Sequence, residues 1–133
     1  MDEIDRKILD ILEDDARTPF VEIGKNVGIS EATVRNRVKA LVKSGQIKKF
    51  TIIRAAKERM MTVILVSTAS KSTREVASRI RKLENVKNVY EVSGDFDIIC
   101  IAEADAVAKL NRTVDAIRKI KDVTKTITNL VLK

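Results

Sequence analysis

Residues 20–43, FVEIGKNVGISEATVRNRVKALVK, constrain the fold more than any other stretch of this 133-residue chain. Val21, Ile23 and Val27 give a first short helix an apolar face, and Val34, Val38, Leu41 and Val42 recur at i, i+4, i+7 and i+8 in a second. Between them, Val27, Gly28, Ile29 and Ser30 supply a residue at ease with positive φ, an apolar anchor and an N-cap hydroxyl, in the order a tight helix-turn-helix requires. Two helices joined so closely must pack on each other, which leaves the outer side of the second one free. At about 100° per residue, Ala32, Asn36, Lys39 and Lys43 point away from the core, flanked by Thr33, Arg35 and Ala40. Asn can make two hydrogen bonds to adenine and Arg two to guanine, while Thr and Ala can touch the thymine methyl. Basic helix faces are often merely solvated. Here turn, cap and outward chemistry coincide, so DNA recognition is the stronger reading.

The charge distribution agrees. The chain carries a formal +7, which favours an acidic partner without separating nucleic acid from an anionic membrane. Residues 25–59 hold ten Lys or Arg against two acids, whereas residues 2–15 hold seven acids against two bases, so the basic zone coincides with the helix-turn-helix and its sequel. There is no histidine, and the single Cys100 lies in the apolar run IICIA, where a small buried hydrophobe is the simplest role. A disulfide framework is excluded and no metal site or cofactor is expected, which fits a reducing cytoplasm. No apolar stretch approaches a membrane span, and the acidic start MDEID is unlike a signal peptide.

In chain order, residues 2–14 carry Ile4, Ile8, Ile11 and Leu12 on one stripe, an amphipathic helix opened by Asp2. Pro19 suits the first turn of the next helix, and Gly45 a left-handed cap after the third. Residues 46–54, QIKKFTIIR, are β-prone and basic. They read as the wing of a winged helix with Lys48 and Lys49 within reach of phosphates, or equally as a linker strand whose lysines only solvate an edge. Residues 55–60 form the connector, separating a DNA-binding domain at 1–54 from a second domain at 61–133. There the pattern is a strand at 61–67, a helix at 72–83 with Val76, Ala77, Ile80 and Leu83 inward, and strands at 86–92 and 97–102. A helix at 105–120 with Val107, Leu110, Val114, Ile117 and Ile120 inward and a strand at 123–132 complete it. KLENVKNV at 82–89 and KIKDVTKT at 119–126 align as matching helix-to-strand junctions of two related halves. The order βαββαβ is that of a ferredoxin-like α+β fold, an antiparallel sheet with both helices on one face. TVILV, DIICI and NLVLK are nearly continuous in apolar residues, so both faces want burial, and a second copy of the chain is the expected cover for the open one.

With these elements laid out, the chain resembles the Lrp/AsnC family of prokaryotic transcription regulators. The opening Asp2-x-Ile4-Asp5-x-x-Ile8-Leu9, the Asp15-Ala16-Arg17 before the turn, and Gly28-Ile29-Ser30 followed by Val34-x-x-Arg37-Val38-x-x-Leu41 carry the likeness in the first domain. VSGDFDIIC matches the family's Gly-x-x-Asp hairpin in the second. The resemblance implies a homodimer, often an octamer, that binds double-stranded DNA and responds to an amino acid bound between dimers. Here that effector would meet Ser93, Gly94, Asp95, Phe96 and Asp97, with backbone N–H groups near Gly94 for an α-carboxylate and Asp95 or Asp97 for an α-ammonium. A plain tight turn around Gly94 would need no ligand. Thr33, Arg35, Asn36 and Lys39 are the expected base or nearby phosphate contacts, Arg37 lies at the flank, and Lys43, Lys48 and Lys49 are expected on phosphate. Paired reading helices would enter major grooves about 34–36 Å apart on a pseudo-palindrome.

Other classes fare worse. RNA-binding sheets of this topology stack bases on aromatics, and these strands offer only Tyr90 nearby. An enzyme would need a reacting constellation that a chain without histidine, paired catalytic carboxylates or a glycine-rich phosphate loop does not assemble. The remaining alternative is a ligand-sensing or assembly module that binds nucleic acid without sequence preference.

Overall fold

The first helix, α1 (Glu3–Asp14), starts where Asp2 and Asp5 cap each other's backbone N–H groups reciprocally. It stops at Asp15, which turns extended and still bonds back to Ile11 O. The computed structural model describes residues 1–54 and 59–132. Helices α2 (Phe20–Val27) and α3 (Glu31–Lys43) follow, joined through Gly28 at φ +76 and the Ser30 N-cap. Ile8, Leu12, Ile23, Val34, Val38 and Leu41 form the core, with Ile4, Phe20, Val27, Ile29 and Ile47 packed around it. Val21 and Val42, expected inward, are 50% and 46% exposed. Each sits one residue from the buried stripe, and 100° of rotation is enough to carry a side chain to the surface.

Residues 46–54 do not form the expected wing strand. Ile47 packs on the core, and its N–H returns to Leu41 O at 3.1 Å, but Phe50, Ile52 and Ile53 stand exposed. A β-prone sequence needs a second strand to pair with, and the described residues of this helical unit supply none. Of the expected connector, residues 55–58 lie outside the described residues, and Met60 already belongs to the next strand.

The chain divides into two compact units, Met1–Ala55 and Ala56–Lys133. The second runs β1 (Met60–Thr68), α4 (Thr73–Arg81), β2 (Val86–Glu91), β3 (Ile98–Ala104), α5 (Val107–Arg118) and β4 (Val123–Leu130). Its sheet has the order β2-β3-β1-β4 with every pair antiparallel, the ferredoxin-like arrangement. Ile64, Val66, Ile98, Cys100 and Ala102 face Val76, Ala77 and Ile80 of α4 and Leu110, Val114 and Ile117 of α5. Val107 is half exposed because α5 begins at it, later than the expected 105. The two matching junctions fold alike. Asn85 and Asp122 adopt φ +69 and +72, and the next N–H groups, Val86 and Val123, reach back to Leu83 O and Ile120 O. Asn and Asp are the non-glycine residues that tolerate this left-handed conformation best.

Alternation along β1 and β3 puts Met61, Val63, Leu65, Ile99 and Ile101 on the face opposite the helices. Leu65 stands opposite both Ile99 and Ile127, and Tyr90 opposite Ile99. This open face is the apolar surface that the strand sequences anticipate.

Candidate nucleic-acid interface

Helix α3 is placed by one stripe and labelled by the other. Val34, Val38 and Leu41 are buried, which forces Ala32, Thr33, Arg35, Asn36, Lys39, Ala40 and Lys43 to the surface. Its first turn is closed by Ser30, whose Oγ accepts the Thr33 N–H at 3.2 Å and shares a 2.8 Å hydrogen bond with Thr33 Oγ1. Thr33 is therefore held in place by the cap, with its methyl still available to a thymine.

Arg35 pairs with Glu31 one turn earlier at 2.6 Å, both side chains about half exposed. Such a surface pair is worth less than about 1 kcal/mol, so Arg35 can exchange it for a base edge at little cost. Lys39 and Lys43 have no ion pair and Asn36 no side-chain hydrogen bond among the described residues, and Lys48 and Lys49 in the exposed segment after the helix have no ion pair there either. Arg37 differs. Its Nη1 donates to Asp2 Oδ2 at 2.7 Å and to Asp5 Oδ1 at 2.9 Å, so this cation, expected at the flank of the DNA surface, is engaged with α1. The Asp2 carboxyl is held below its ordinary range, first by the Asp5 backbone N–H and then by Arg37. Hydrogen bonds to Asp2 and then Asp5 raise the guanidinium in turn.

Four residues that shape this surface escape a reading by periodicity. Glu31 is signalled only by its i, i+4 spacing to Arg35. Asp2 and Asp5 meet Arg37 across 35 and 32 residues of sequence, and no local pattern reveals that. Gly24 is signalled only as an isolated glycine within a helical pattern. A Cβ there would lie 2.5 Å from Ile29 O, so α2 and the turn approach each other closer than any side chain permits.

The hairpin expected to hold an effector is also partly committed. Asp97 accepts the Thr68 N–H on its carboxylate at 2.7 Å, and its own N–H bonds Val66 O at 3.0 Å, which ties the hairpin to the end of β1. Ser93, Gly94 and Asp95 are exposed, Phe96 half-buried, and Gly94 takes φ +140. A concavity of about 450 Å³ lies instead beside Asn85, Lys109, Arg112 and Thr113, and one of about 90 Å³ beside Glu75, Arg79 and Asp122. Residues 93–97 line neither.

Cys100 is fully buried, and loss of solvation pushes its thiol up to about 11, the state of an inert core residue. Among the described residues, no group of three or more His, Cys, Asp or Glu is placed to hold a metal ion, and no helix is long and apolar enough to cross a membrane.

Comparison with known proteins places the two units separately. Residues 1–42 match the AsnC-type helix-turn-helix domain, and residues 60–133 match the Lrp/AsnC ligand binding domain. The chain is 39% identical over 134 residues to the HTH-type transcriptional regulator LysM of Sulfurisphaera tokodaii, covering 100% of this chain and 96% of that one. The fold superposes on the crystal structure of MtbAldR with a TM-score of 0.84 at 29% identity, covering 100% and 95% of the two chains. It also superposes on that of a Neisseria meningitidis transcriptional regulator in complex with L-Met, with a TM-score of 0.79 at 24% identity, covering 100% and 90%.

Proposed function

Because this chain belongs to the Lrp/AsnC family of helix-turn-helix transcription regulators, we propose that two copies read a pseudo-palindromic duplex through the outward face of α3. It is a DNA-binding regulator and not an enzyme. The observation that carries the residue assignment is the row Asn36, Lys39 and Lys43, exposed on α3, its two lysines without ion pairs among the described residues, with Thr33 and Arg35 beside it. Asn36 is the adenine reader, Arg35 and Thr33 contact neighbouring base edges, and Lys39 serves a base or the adjacent phosphate. Lys43, Lys48 and Lys49 neutralise phosphates. The dimer forms through the open sheet face, where Met61, Val63, Leu65, Ile99, Ile101 and Ile127 supply the apolar centre that an obligate interface needs. Further assembly toward an octamer brings hairpins 93–97 against neighbouring dimers. There an amino acid binds, its carboxylate on N–H groups near Gly94 and its ammonium on the exposed Asp95 or on Asp97, whose Oδ2 also accepts the Thr68 N–H. The ligand-binding family match and the L-Met complex of a protein with this fold support that assignment. A cytoplasmic location follows from a chromosomal target.

Comparing Asn36→Ala with Lys48→Ala tests the assignment. Asn36→Ala is expected to cost about 1–3 kcal/mol on the preferred duplex and little on a random one. Lys48→Ala is expected to weaken both alike and to flatten the slope of log K against log salt by about 0.9. The opposite assignment of the two effects, or equal wild-type affinity for both duplexes, defeats base reading by this face.

A further inference from the structure

Asp2, the N-cap of α1, Asp5 in its first turn and Arg37 of α3 form one closed network in which every carboxylate oxygen has a donor. Asp2 Oδ1 accepts the Asp5 N–H at 2.9 Å, and Asp5 Oδ2 accepts the Asp2 N–H at 3.1 Å. The two oxygens left over, Asp2 Oδ2 and Asp5 Oδ1, both take Arg37 Nη1. We propose that Arg37 is a positioning residue of the DNA-reading surface, locking α3 to the first turn of α1 and so fixing how Asn36, Lys39 and Lys43 are presented, and that it does not itself bind phosphate. The proposal rests on α3 being the reading helix.

Three observations carry it. Arg37 is the least exposed of the cations on α3, at 29% for its side chain, and Asp5 is less exposed still at 16%. Its bonds cross between two helices, whereas Arg35 pairs with Glu31 on its own helix and constrains no packing. The cluster also holds two acids against one base, so a phosphate approaching Arg37 meets net negative charge. To serve the DNA backbone, the guanidinium would have to abandon two charge-assisted hydrogen bonds, the stronger kind. The network further joins two stretches of sequence that look unrelated, the opening Asp-x-Ile-Asp and the Arg-Val of the reading helix. They are two halves of one clamp.

The test is a salt titration of binding to the duplex that the full-length wild type selects from a randomised pool and to a random duplex. The variants are Arg37→Gln, Asp5→Asn and the double substitution, each with far-UV circular dichroism to confirm the fold. Both single variants are expected to lose the preference for the selected duplex by a similar factor, and the double variant no more than either, as members of one network do. The salt slope on the random duplex should stay at the wild-type value in Arg37→Gln. Asp2→Asn, which keeps the Asp5 bond, should lose part of the preference and serves if Arg37→Gln does not fold. The proposal is overturned if Arg37→Gln weakens both duplexes equally and flattens the slope by about 0.9. It is equally overturned if Asp5→Asn tightens binding by releasing Arg37. A wild type without any preferred duplex would instead remove the reading on which the clamp depends, whereas preference retained in every variant removes the clamp alone.

Discussion

Gly24→Ala is expected to destabilise the N-terminal unit by about 1–3 kcal/mol and to abolish preferential DNA binding, although alanine is the better helix former. Two effects oppose each other at this position. Replacing glycine by alanine inside a helix is worth up to about 1 kcal/mol in propensity. Against that, the new Cβ would stand 2.5 Å from Ile29 O, 3.5 Å from Ser30 C and 3.6 Å from Glu31 N. All three are backbone atoms, so no side-chain rotation relieves the overlap; the turn itself must move. Gly24 O also accepts the N–H groups of both Gly28 and Ile29, at 2.8 and 3.0 Å, and these bonds hold the turn onto α2. Displacing it carries away the Ser30 cap and with it the start of α3. Thermal unfolding followed by circular dichroism should show the N-terminal transition lowered by at least about 5 °C, with the association of the C-terminal unit unchanged. An unaltered or raised midpoint would mean that the turn can move aside without losing its cap, and would contradict the close approach as the reason for glycine here.

Leu65→Glu is expected to convert the protein to a 14.9 kDa monomer while leaving each unit folded. Leu65 sits on β1, an inner strand, with Ile99 on one side and Ile127 on the other. In one chain it is only half-buried and lies outside the core beneath the helices, so a carboxylate there remains solvated and folding tolerates it. In a sheet-on-sheet dimer the same carboxylate would be desolvated in both copies without a cation to meet it, at a cost on the order of 3–5 kcal/mol each. That exceeds what a modest interface can absorb. DNA affinity should fall by about 10²–10⁴ as well, because the second reading helix no longer arrives at the effective concentration that linkage provides. Light scattering and a duplex titration on the same sample check both parts. A wild type that is already monomeric, or a variant that still pairs, would show that another surface joins the copies.

Much of this architecture is legible in the residues, and the reasons are local. The helix-turn-helix announces itself because Gly28, Ser30 and the valine stripe act within a few positions of each other. The ferredoxin-like unit does so because its two halves repeat, down to left-handed Asn85 and Asp122 in equivalent places. What escapes such reading depends on partners distant in sequence. Residues 46–54 have the composition of a strand, yet composition cannot say whether a second strand lies beside them, and among the described residues of the helical unit there is none. Arg37 looks like one more cation on a basic helix until Asp2 and Asp5 arrive beside it. Asp97 reads as one more acid of a hairpin, and nothing local tells that its Oδ2 accepts the Thr68 N–H across 29 residues. The open sheet face follows from alternation alone, whereas the proposed cover, a second copy, lies outside any single chain's sequence pattern.

Footprinting on the duplex selected from a randomised pool tests most directly whether paired α3 helices read DNA. Two protected major-groove patches centred about 10–10.5 base pairs apart, related by an inverted repeat and both lost in Leu65→Glu, are the predicted result. A single protected patch, or selection of no sequence at all, would contradict it.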